Sequence, residues 1–240
     1  MSAAPRPLVL AFDVFGTVVD WHGSLAAEFD RVRWGSPAPT ISASDFALAW
    51  RDGYQPAMGR VRRGELGWTK IDDLHRMVLD QLLQTIGQDQ HLSEAQKKHL
   101  NLVWHRLQPW PDSVAGLKRL KRKFTIVTLS NGNLSLLCNM AKNAGLPWDL
   151  VLSAEVFRHY KPDPQTYQGV AQIFDLAPQQ VMLVAAHKDD LRAAAQCGLQ
   201  TAFIERSAEF GPRGNPDLAI DPQFQYHGKS FLDLADQLGC

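Results

Sequence analysis

Four groups of polar residues follow apolar runs of the sequence, and their residue types could do chemistry together. They are Asp13, the pair Ser130-Asn131, Lys161, and the stretch from His187 to Asp190. A carboxylate beside a lysine is held ionised, which suits a nucleophile. A serine hydroxyl and free backbone N–H groups at the start of a helix suit an anion. The residue types therefore fit a carboxylate nucleophile and a bound anion.

Each group taken alone also has a structural explanation. The stretch from Asp13 to Thr17 could be a capping carboxylate in a strand–turn connection, and Thr128–Gly132 could be a turn that enters a helix. Tyr160–Pro164 could be a cationic loop followed by a helix cap. Open parallel sheets bind ligands beyond the carboxyl ends of their strands. Because all four groups fall at such ends, the sequence favours a common site.

The elements that must position these groups are short buried strands separated by single helices. The predicted strands are Leu8–Phe12, Phe124–Leu129, Leu150–Leu152, Val181–Val184 and Thr201–Ile204. The predicted helices begin at Asp112, run from Leu134 to a stop at Gly145, begin at Asp163-Pro164, and run from Asp190 to Cys197. Capping residues, proline at the first helical position and a final glycine support these limits. The alternation predicts βαβ units and a parallel sheet.

The segment from Trp21 to Pro109 shows only helical signals and holds most of the tryptophans. Ser93 with Gln96 forms a capping box, and Asp45–Arg63 is predicted as one helix with a kink at Pro56. Gly35–Ser44 is the best candidate for a loop. We therefore predict a catalytic core of residues 1–20 and 110–240 with an inserted helical cap of residues 21–109.

Composition restricts the class of protein. The 240 residues carry 25 Lys and Arg and 25 Asp and Glu, so the formal charge is zero with the histidines neutral. This balance argues against binding to nucleic acid or to an acidic membrane. No apolar run approaches the ~20 residues of a membrane span, and Met1–Leu10 offers no signal peptide. Cys138, Cys197 and Cys240 are odd in number and far apart, so we expect a reducing cytoplasm.

The sequence resembles the haloacid dehalogenase superfamily across essentially its whole length. The motifs are Asp13-x-Phe-Gly-Thr17, Leu-Ser130-Asn131-Gly, Lys161-Pro-Asp163 and the late Asp190. The resemblance implies a Rossmann-like core with a helical cap. Within the superfamily the chain is most similar to the type II L-2-haloacid dehalogenases, which implies hydrolysis of short 2-haloalkanoic acids without metal or other cofactor.

Three details favour these dehalogenases over phosphatase relatives. Phosphatases carry a second Asp two residues after the nucleophile, where this chain has Phe15, and an acidic residue four before the late Asp, where it has Ala186. Trp50-Arg51 in the first cap helix and Tyr167 match the dehalogenase pattern. The substitutions remove groups that phosphoryl transfer requires, so no metal site is expected.

The resemblance implies roles for individual residues. Asp13 would displace halide from C2 and form an ester, which water then hydrolyses to the 2-hydroxy acid with inversion. Arg51 and Asn131 would bind the departing halide, where developing negative charge needs a fixed cation. Ser130 and the backbone amides near Val14 and Phe15 would bind the substrate carboxylate.

The supporting residues follow from the same resemblance. Lys161 would keep Asp13 ionised, with Thr17 and Tyr167 supporting the geometry. Asp190 would hold Lys161 or place the hydrolytic water. A solvated helix face for Arg51 and core packing for Tyr167 remain as structural alternatives.

One stretch departs from the family pattern. Well-known family members carry Ser-Asn before the late Asp, whereas this chain has Ala185-Ala186-His187, which resembles other members of the same subgroup and does not imply lost activity. His187 could orient or deprotonate the water, or it could only be hydrogen-bonded to a neighbouring loop. Asp189 is predicted to be a helix cap.

The expected ligands are a small 2-haloacid and the released halide, with no nucleic acid or membrane partner. A dimer is the family-level expectation for assembly. The rivals are a magnesium-dependent phosphatase or phosphonatase on the same fold, and a binding protein that kept the scaffold without catalysis.

Overall fold

The computed structural model describes residues 5–240; Met1–Ala4, part of the stretch tested for a signal peptide, lie outside it. Its centre is a six-stranded sheet whose neighbouring strands all run parallel. In chain order the strands are β1 (Val9–Phe12), β4 (Thr125–Ser130), β5 (Leu150–Ser153), β6 (Val181–Ala185), β7 (Gln200–Ile204) and β8 (Tyr226–Gly228). Across the sheet their order is β5-β4-β1-β6-β7-β8. All five predicted strands are confirmed, and β8 adds an edge strand that the sequence analysis did not include.

Helices flank the strands of this sheet, and two of them lie in a row between β5 and β6. The flanking helices are α6 (Ser113–Lys121), α7 (Leu134–Ala144), α8 (Ala154–Phe157), α9 (Pro164–Ile173), α10 (Lys188–Gln196) and, at the end of the chain, α11 (Phe231–Gln237). Helix α7 ends at Gly145, whose φ of 67° lies in the left-handed region that glycine adopts at little cost. No helix among residues 5–240 is long and apolar enough to cross a membrane.

A two-stranded antiparallel ladder joins the two ends of the inserted segment. It pairs β2 (Val19–Asp20) with β3 (Gln108–Pro109). Between them lie α1 (Trp21–Phe29), α2 (Ala43–Asp52), α3 (Tyr54–Arg62), α4 (Ile71–Thr85), α5 (Glu94–Asn101) and a 3₁₀ turn at Leu102–Arg106. The predicted α/β fold with a helical insertion is confirmed, and so is the capping box of Ser93 and Gln96 at α5.

The two faces of the sheet bury different apolar clusters, as the alternation of side chains along a strand requires. Val9 and Ala11 pack with residues of α9 and α10 on one face. Leu10 and Phe12 pack on the other face in a cluster that continues through α6 and α7 into cap residues such as Phe46 and Trp50. Core and cap therefore share one apolar cluster.

Several local predictions were wrong. Asp45–Arg63 is not one helix kinked at Pro56, because α2 ends at the C-cap Gly53 and α3 begins at Tyr54. Pro56 lies in the first turn of α3, where a backbone N–H has no partner within the helix to lose. Arg51 consequently lies in the second helix of the cap, not the first.

The predicted caps also need correction. Asp112 and Asp163 stand at the N-cap positions, but neither carboxylate caps its helix. Asp112 instead pairs with Arg206, and Asp163 with Arg62. Asp189 is the second residue of α10, after the N-cap His187, and forms an exposed ion pair with Arg192.

Candidate active site

The polar groups that follow the strands meet at one pocket, of about 540 Å³, beneath cap helices α2 and α3. Its lining residues are Asp13, Phe15, Arg51, Tyr54, Gln55, Arg62, Asn131, Lys161, Pro162, Tyr167, His187, Asp189 and Asp190. The parallel register explains this convergence, since Phe12 of β1 pairs with Thr128 of β4 and Val184 of β6. The carboxyl ends of the three strands therefore lie side by side.

Asp13 lies at the centre of the site and is 7% exposed. Its Oδ1 accepts a hydrogen bond from Lys161 Nζ at 2.9 Å. Its Oδ2 accepts from Thr17 Oγ1 at 2.8 Å and lies 3.0 Å from Nδ1 of His187. Thr17 Oγ1 in turn accepts from the backbone N–H of Ala186 at 2.9 Å, which ties the first and fourth strand ends together.

The charges around Asp13 keep it ionised. Burial alone would raise the pKa of this carboxyl, but the Lys161 ammonium and His187 outweigh it and hold the pKa far below its usual range. Burial likewise opposes the charge of Lys161, but the nearby carboxylates of Asp13 and Asp190 raise its pKa above the ordinary lysine value. Asp13 is therefore an anion in the folded protein near neutral pH.

Asp190 and Tyr167 hold Lys161 in position. Asp190 accepts a hydrogen bond from Lys161 Nζ through Oδ2 and from the hydroxyl of Tyr167 through Oδ1, the latter at 2.6 Å. Tyr167 is fully buried. Burial and the neighbouring Asp190 raise the pKa of its hydroxyl far above normal, so it remains a donor. Tyr167 thus belongs both to the apolar stripe of α9 and to the site.

Arg51 lies on the cap side of the pocket with its guanidinium against aromatic rings. Its Cζ lies 4.2 Å from the ring centre of Tyr54 and 5.5 Å from that of Trp21. Its Nη1 is buried and, among residues 5–240, has no hydrogen-bond partner. A buried cationic donor without a partner is costly unless something anionic meets it. The geometry therefore fits anion binding rather than a solvated helix face.

Aromatic groups of the cap continue behind Arg51. The rings of Tyr54 and His75 are 5.6 Å apart, and His75 stacks on Trp104 at 4.0 Å. Burial lowers the pKa of His75 to about 3, although the carboxylate of Asp72 acts in the opposite direction. His75 is therefore a neutral aromatic layer, and its sequence position on the buried face of α4 gave no sign of a place near the site.

Three of the predicted site residues do not line the pocket. Val14, Thr17 and Ser130 are buried next to it. Ser130 Oγ accepts a hydrogen bond from the N–H of Gly132 at 3.1 Å. Asn131 does line the pocket, and its Oδ1 accepts from the backbone N–H of Lys161 at 2.8 Å.

Glu209 is a site residue that the sequence analysis missed. It lies in the loop after β7, is fully buried, and places Oε1 2.8 Å from Nε2 of His187. The same oxygen accepts from the indole N–H of Trp21 at 3.2 Å. The rule that ligands meet at the strand ends could have indicated this loop, but the sequence gave no reason to single out Glu209 within it.

His187 consequently touches both Asp13 and a neighbouring loop. Burial works against its protonation, but the charges of Glu209 and Asp13 outweigh burial and raise the pKa of His187 to about 10. Its side chain is 30% exposed and lines the pocket. The two interpretations of this histidine, as a loop contact and as a group at the reacting carboxylate, both describe its geometry.

The residues here do not fit the magnesium ion that phosphatases of this superfamily use. Donor groups already occupy both oxygens of Asp13 and both oxygens of Asp190. Ala186 supplies no side-chain oxygen. A divalent ion would also meet the Lys161 ammonium 2.9 Å from Asp13, where like charges repel.

Comparison with known proteins places the chain in a family. The family of haloacid dehalogenase-like hydrolases matches residues 8–198. The chain is 28% identical over 225 residues to (S)-2-haloacid dehalogenase 4A of Burkholderia cepacia, a match that covers 90% of this chain and 85% of that protein.

Solved structures give the same result. The crystal structure of an L-2-haloacid dehalogenase matches with a TM-score of 0.89 and 44% identity, covering 98% of this chain and all of that one. A defluorinating L-2-haloacid dehalogenase matches with a TM-score of 0.90 and 42% identity over 98% of this chain and 96% of that one. This chain belongs to the haloacid dehalogenase-like hydrolase family.

Proposed function

We propose that this protein hydrolyses short L-2-haloalkanoic acids to 2-hydroxy acids through an ester of Asp13, without a metal ion. One observation carries the proposal: the ionised Asp13 carboxylate lines the same pocket as Arg51, whose buried Nη1 has no hydrogen-bond partner among residues 5–240. A nucleophile and a fixed cation for the leaving anion are what displacement of halide from carbon needs. The relatives named (S)-2-haloacid dehalogenase support the same reaction.

In the first step an Asp13 oxygen attacks C2 of the substrate in line with the carbon–halogen bond. A carbon–oxygen bond forms, the halide leaves with the bonding electrons, and the configuration at C2 inverts. Arg51 and Asn131, which both line the pocket, would receive the halide. A halide leaves without a proton, so Phe15 can stand where a phosphatase needs an acid.

The substrate carboxylate needs its own donors. The N–H groups of Val14 and Phe15 donate to no backbone carbonyl within the described part of the chain, which supports their predicted role. Ser130 can contribute its hydroxyl hydrogen, because its Oγ is an acceptor toward Gly132 and a hydroxyl can donate at the same time.

In the second step water attacks the carboxyl carbon of the ester. The 2-hydroxy acid leaves and the Asp13 carboxylate is restored. His187 would take the proton from that water, since its Nδ1 lies 3.0 Å from Asp13 Oδ2 and an imidazole can act as a general base.

Halide and phosphate release from a small substrate panel, with and without EDTA, tests the proposal. We expect chloride release from L-2-chloropropionate that survives EDTA, and no phosphate release. Single-turnover hydrolysis in ¹⁸O water should label Asp13 rather than the first product, and Asp13→Asn should release no halide. Magnesium-dependent chloride release, or label that goes directly into product, would refute the mechanism.

We also propose a homodimer in the cytoplasm, with the cap formed by residues 21–109 and the core by residues 1–20 and 110–240. The β2–β3 ladder supports these limits because it closes the insertion at its base. Sedimentation of the purified protein tests the dimer, and cell fractionation tests the compartment.

A further inference from the structure

The imidazole of His187 lies between two carboxylates. Nδ1 faces Asp13 Oδ2 at 3.0 Å, and Nε2 faces Glu209 Oε1 at 2.8 Å. An ionised carboxylate only accepts hydrogen bonds, whereas a neutral imidazole has a single N–H to donate. Both contacts are satisfied together only when the ring carries two protons. In the resting protein His187 is therefore an imidazolium, which cannot take a proton from water.

Formation of the Asp13 ester changes this balance. The ester is uncharged, so one of the two carboxylates that stabilise the imidazolium is lost, while Glu209 remains. Since both charges raise the pKa of His187, the loss of one lowers it. The Nδ1 proton can leave through the pocket, which His187 lines with its 30% exposed side chain.

We propose that Glu209 is a positioning residue for ester hydrolysis, which keeps the remaining proton of His187 on Nε2 and turns the free Nδ1 lone pair toward the Asp13 ester. The inference rests on the proposed dehalogenation. His187 then acts as a base only while the ester exists, because the resting imidazolium cannot take a proton from water.

The protons balance over one cycle. Neutral His187 takes a proton from water as hydroxide adds to the ester carbon, and returns it to the alkoxide of the departing 2-hydroxy acid. The restored Asp13 carboxyl group gives its proton to His187, which regenerates the resting imidazolium. Each cycle therefore releases one halide and, when the next ester forms, one proton from Nδ1.

The surroundings of Glu209 are built to hold a carboxylate at this place. A side-chain Cβ at Gly16 would come within 2.2 Å of Glu209 Oε1, so the glycine of the Asp13 motif leaves the room that Glu209 occupies. The indole N–H of Trp21 anchors the same oxygen. The contacts that hold Glu209 are made through Oε1, since Oε2 is buried and, within residues 5–240, has no hydrogen-bond donor.

Other charged groups near His187 act on its two partners. Lys161 lies on the far oxygen of Asp13, with Asp190 behind it. Asp20 is close enough to Glu209 for their charges to interact. The pKa of Asp20 is raised mainly by burial and to a smaller extent by the charge of Glu209. The ester removes only the Asp13 charge from this set, so the effect on His187 is specific to the reaction stage.

Glu209→Gln tests the inference, because glutamine keeps the size of the side chain and loses its charge. We expect the first-turnover burst of halide to remain at least as fast as in the wild type. Steady-state turnover should fall by at least tenfold. The upper limit of the loss is the factor of ~10²–10⁴ in rate that a general base contributes. The covalent Asp13 adduct should accumulate in quenched samples analysed by mass spectrometry, and the apparent pKa of ester hydrolysis should fall.

Glu205→Gln is the matched control. Glu205 lies in the same loop and pairs with a histidine in the same way, its Oε1 lying 2.7 Å from Nε2 of His227, but it does not line the pocket. We expect wild-type burst and turnover from this variant. Equal kinetics for Glu209→Gln and Glu205→Gln, or a Glu209→Gln burst that slows, would overturn the inference.

Two more variants protect the test against a folding defect. Trp21→Phe removes the N–H that anchors Glu209 together with part of the indole ring, which also lies beside Arg51. It should slow ester hydrolysis by a smaller factor than Glu209→Gln does, and the rate of halide release in the first turnover reports separately on any effect through Arg51. In a His187→Gln background, Glu209→Gln should add almost nothing to the defect, because the two residues act as a unit. Additive losses would refute the coupling, and a wild-type protein that releases no halide from L-2-chloropropionate would refute the proposed dehalogenation instead.

Discussion

Arg51 shows how the cap completes a site that the core begins. Its charged group has aromatic rings on the Tyr54 and Trp21 sides and a buried Nη1 that, among residues 5–240, has no hydrogen-bond partner. Such a cation interacts with whatever anion enters the pocket, and a planar fork holds that anion in a defined direction. The proposed substrate carries a carboxylate and releases a halide. Because other donors are proposed to bind the carboxylate, Arg51 remains available for the halide.

Arg51→Lys should therefore lose most of the activity. A lysine places a point charge on a flexible stem and does not stack on Tyr54 in the same way. Loss of a positioned contact to developing charge costs roughly 10²–10³ in rate, which we expect in kcat/KM measured by halide release. Arg33→Lys, an exposed change in the same cap, is the control and should be silent. Wild-type turnover of Arg51→Lys would return the residue to a structural role.

His187 should make stability depend on pH. Its pKa is about 10 in the folded protein, above the ordinary value of 6.5, because Glu209 and Asp13 outweigh burial. A raised pKa means that the stabilisation is complete below about pH 6.5 and is lost as the pH rises through the folded value. The melting temperatures of wild type and His187→Gln should therefore differ most near pH 6.5 and converge toward pH 10. A difference that is constant over this range would contradict the assignment.

At the scale of elements, the loop after β7 contacts the turn that follows the nucleophile Asp13. Arg206 donates through Nε to the backbone carbonyl of Thr17 at 2.8 Å. Its two terminal nitrogens hold both oxygens of Asp112, and one of those oxygens also accepts from the N–H of Phe231. One buried guanidinium thus joins the Asp13 motif, the start of α6 and the start of α11.

Removal of Arg206 should destabilise the protein strongly. Arg206→Met leaves the half-buried Asp112 without its cation, and breaking a buried pair costs roughly 3–5 kcal/mol, so urea unfolding should show a loss toward that range. Arg192→Met is the matched comparison, because Arg192 makes ion pairs with Asp189 and Asp221 at the surface. Exposed pairs contribute little, because water and salt screen them. Equal losses in free energy of unfolding would show that the Arg206 network carries no special weight.

At the scale of the whole molecule, cap and core are not independent bodies. The apolar cluster on one face of the sheet runs from Leu10 and Phe12 to Phe46, Trp50 and other cap residues without a break. Polar contacts also cross between them, among them Arg62 with Asp163 and the Tyr160 hydroxyl with the carbonyl of Thr69.

We therefore expect cap and core to unfold in one cooperative transition. Tryptophan fluorescence reports mainly on the cap, which contains Trp21, Trp34, Trp50, Trp68 and Trp104. Far-UV circular dichroism reports on all helices and strands. The two signals should coincide in urea. A fluorescence transition that precedes the loss of helix would instead show a cap that unfolds alone.

The sequence by itself determined five of the six strands of the sheet, several helix ends and the main groups of the site. Strand runs, the α7 stop at Gly145 and the capping box at Ser93 depend on neighbours within a few residues, so they can be predicted locally. The positions of Asp13, Lys161 and Asp190 followed from one topological rule, that parallel strands end at the same edge of a sheet.

Tertiary structure decided which distant partner each side chain takes. Asp112 and Asp163 have the residue type and position of helix caps, yet arginines far away in sequence take their carboxylates. Glu209 reaches His187 from another strand end, and Trp21 reaches Glu209 across 188 positions. Such contacts depend on how whole elements pack, because a buried charge pairs with whichever opposite charge or donor the fold brings within reach. No pattern of nearby residues carries that information.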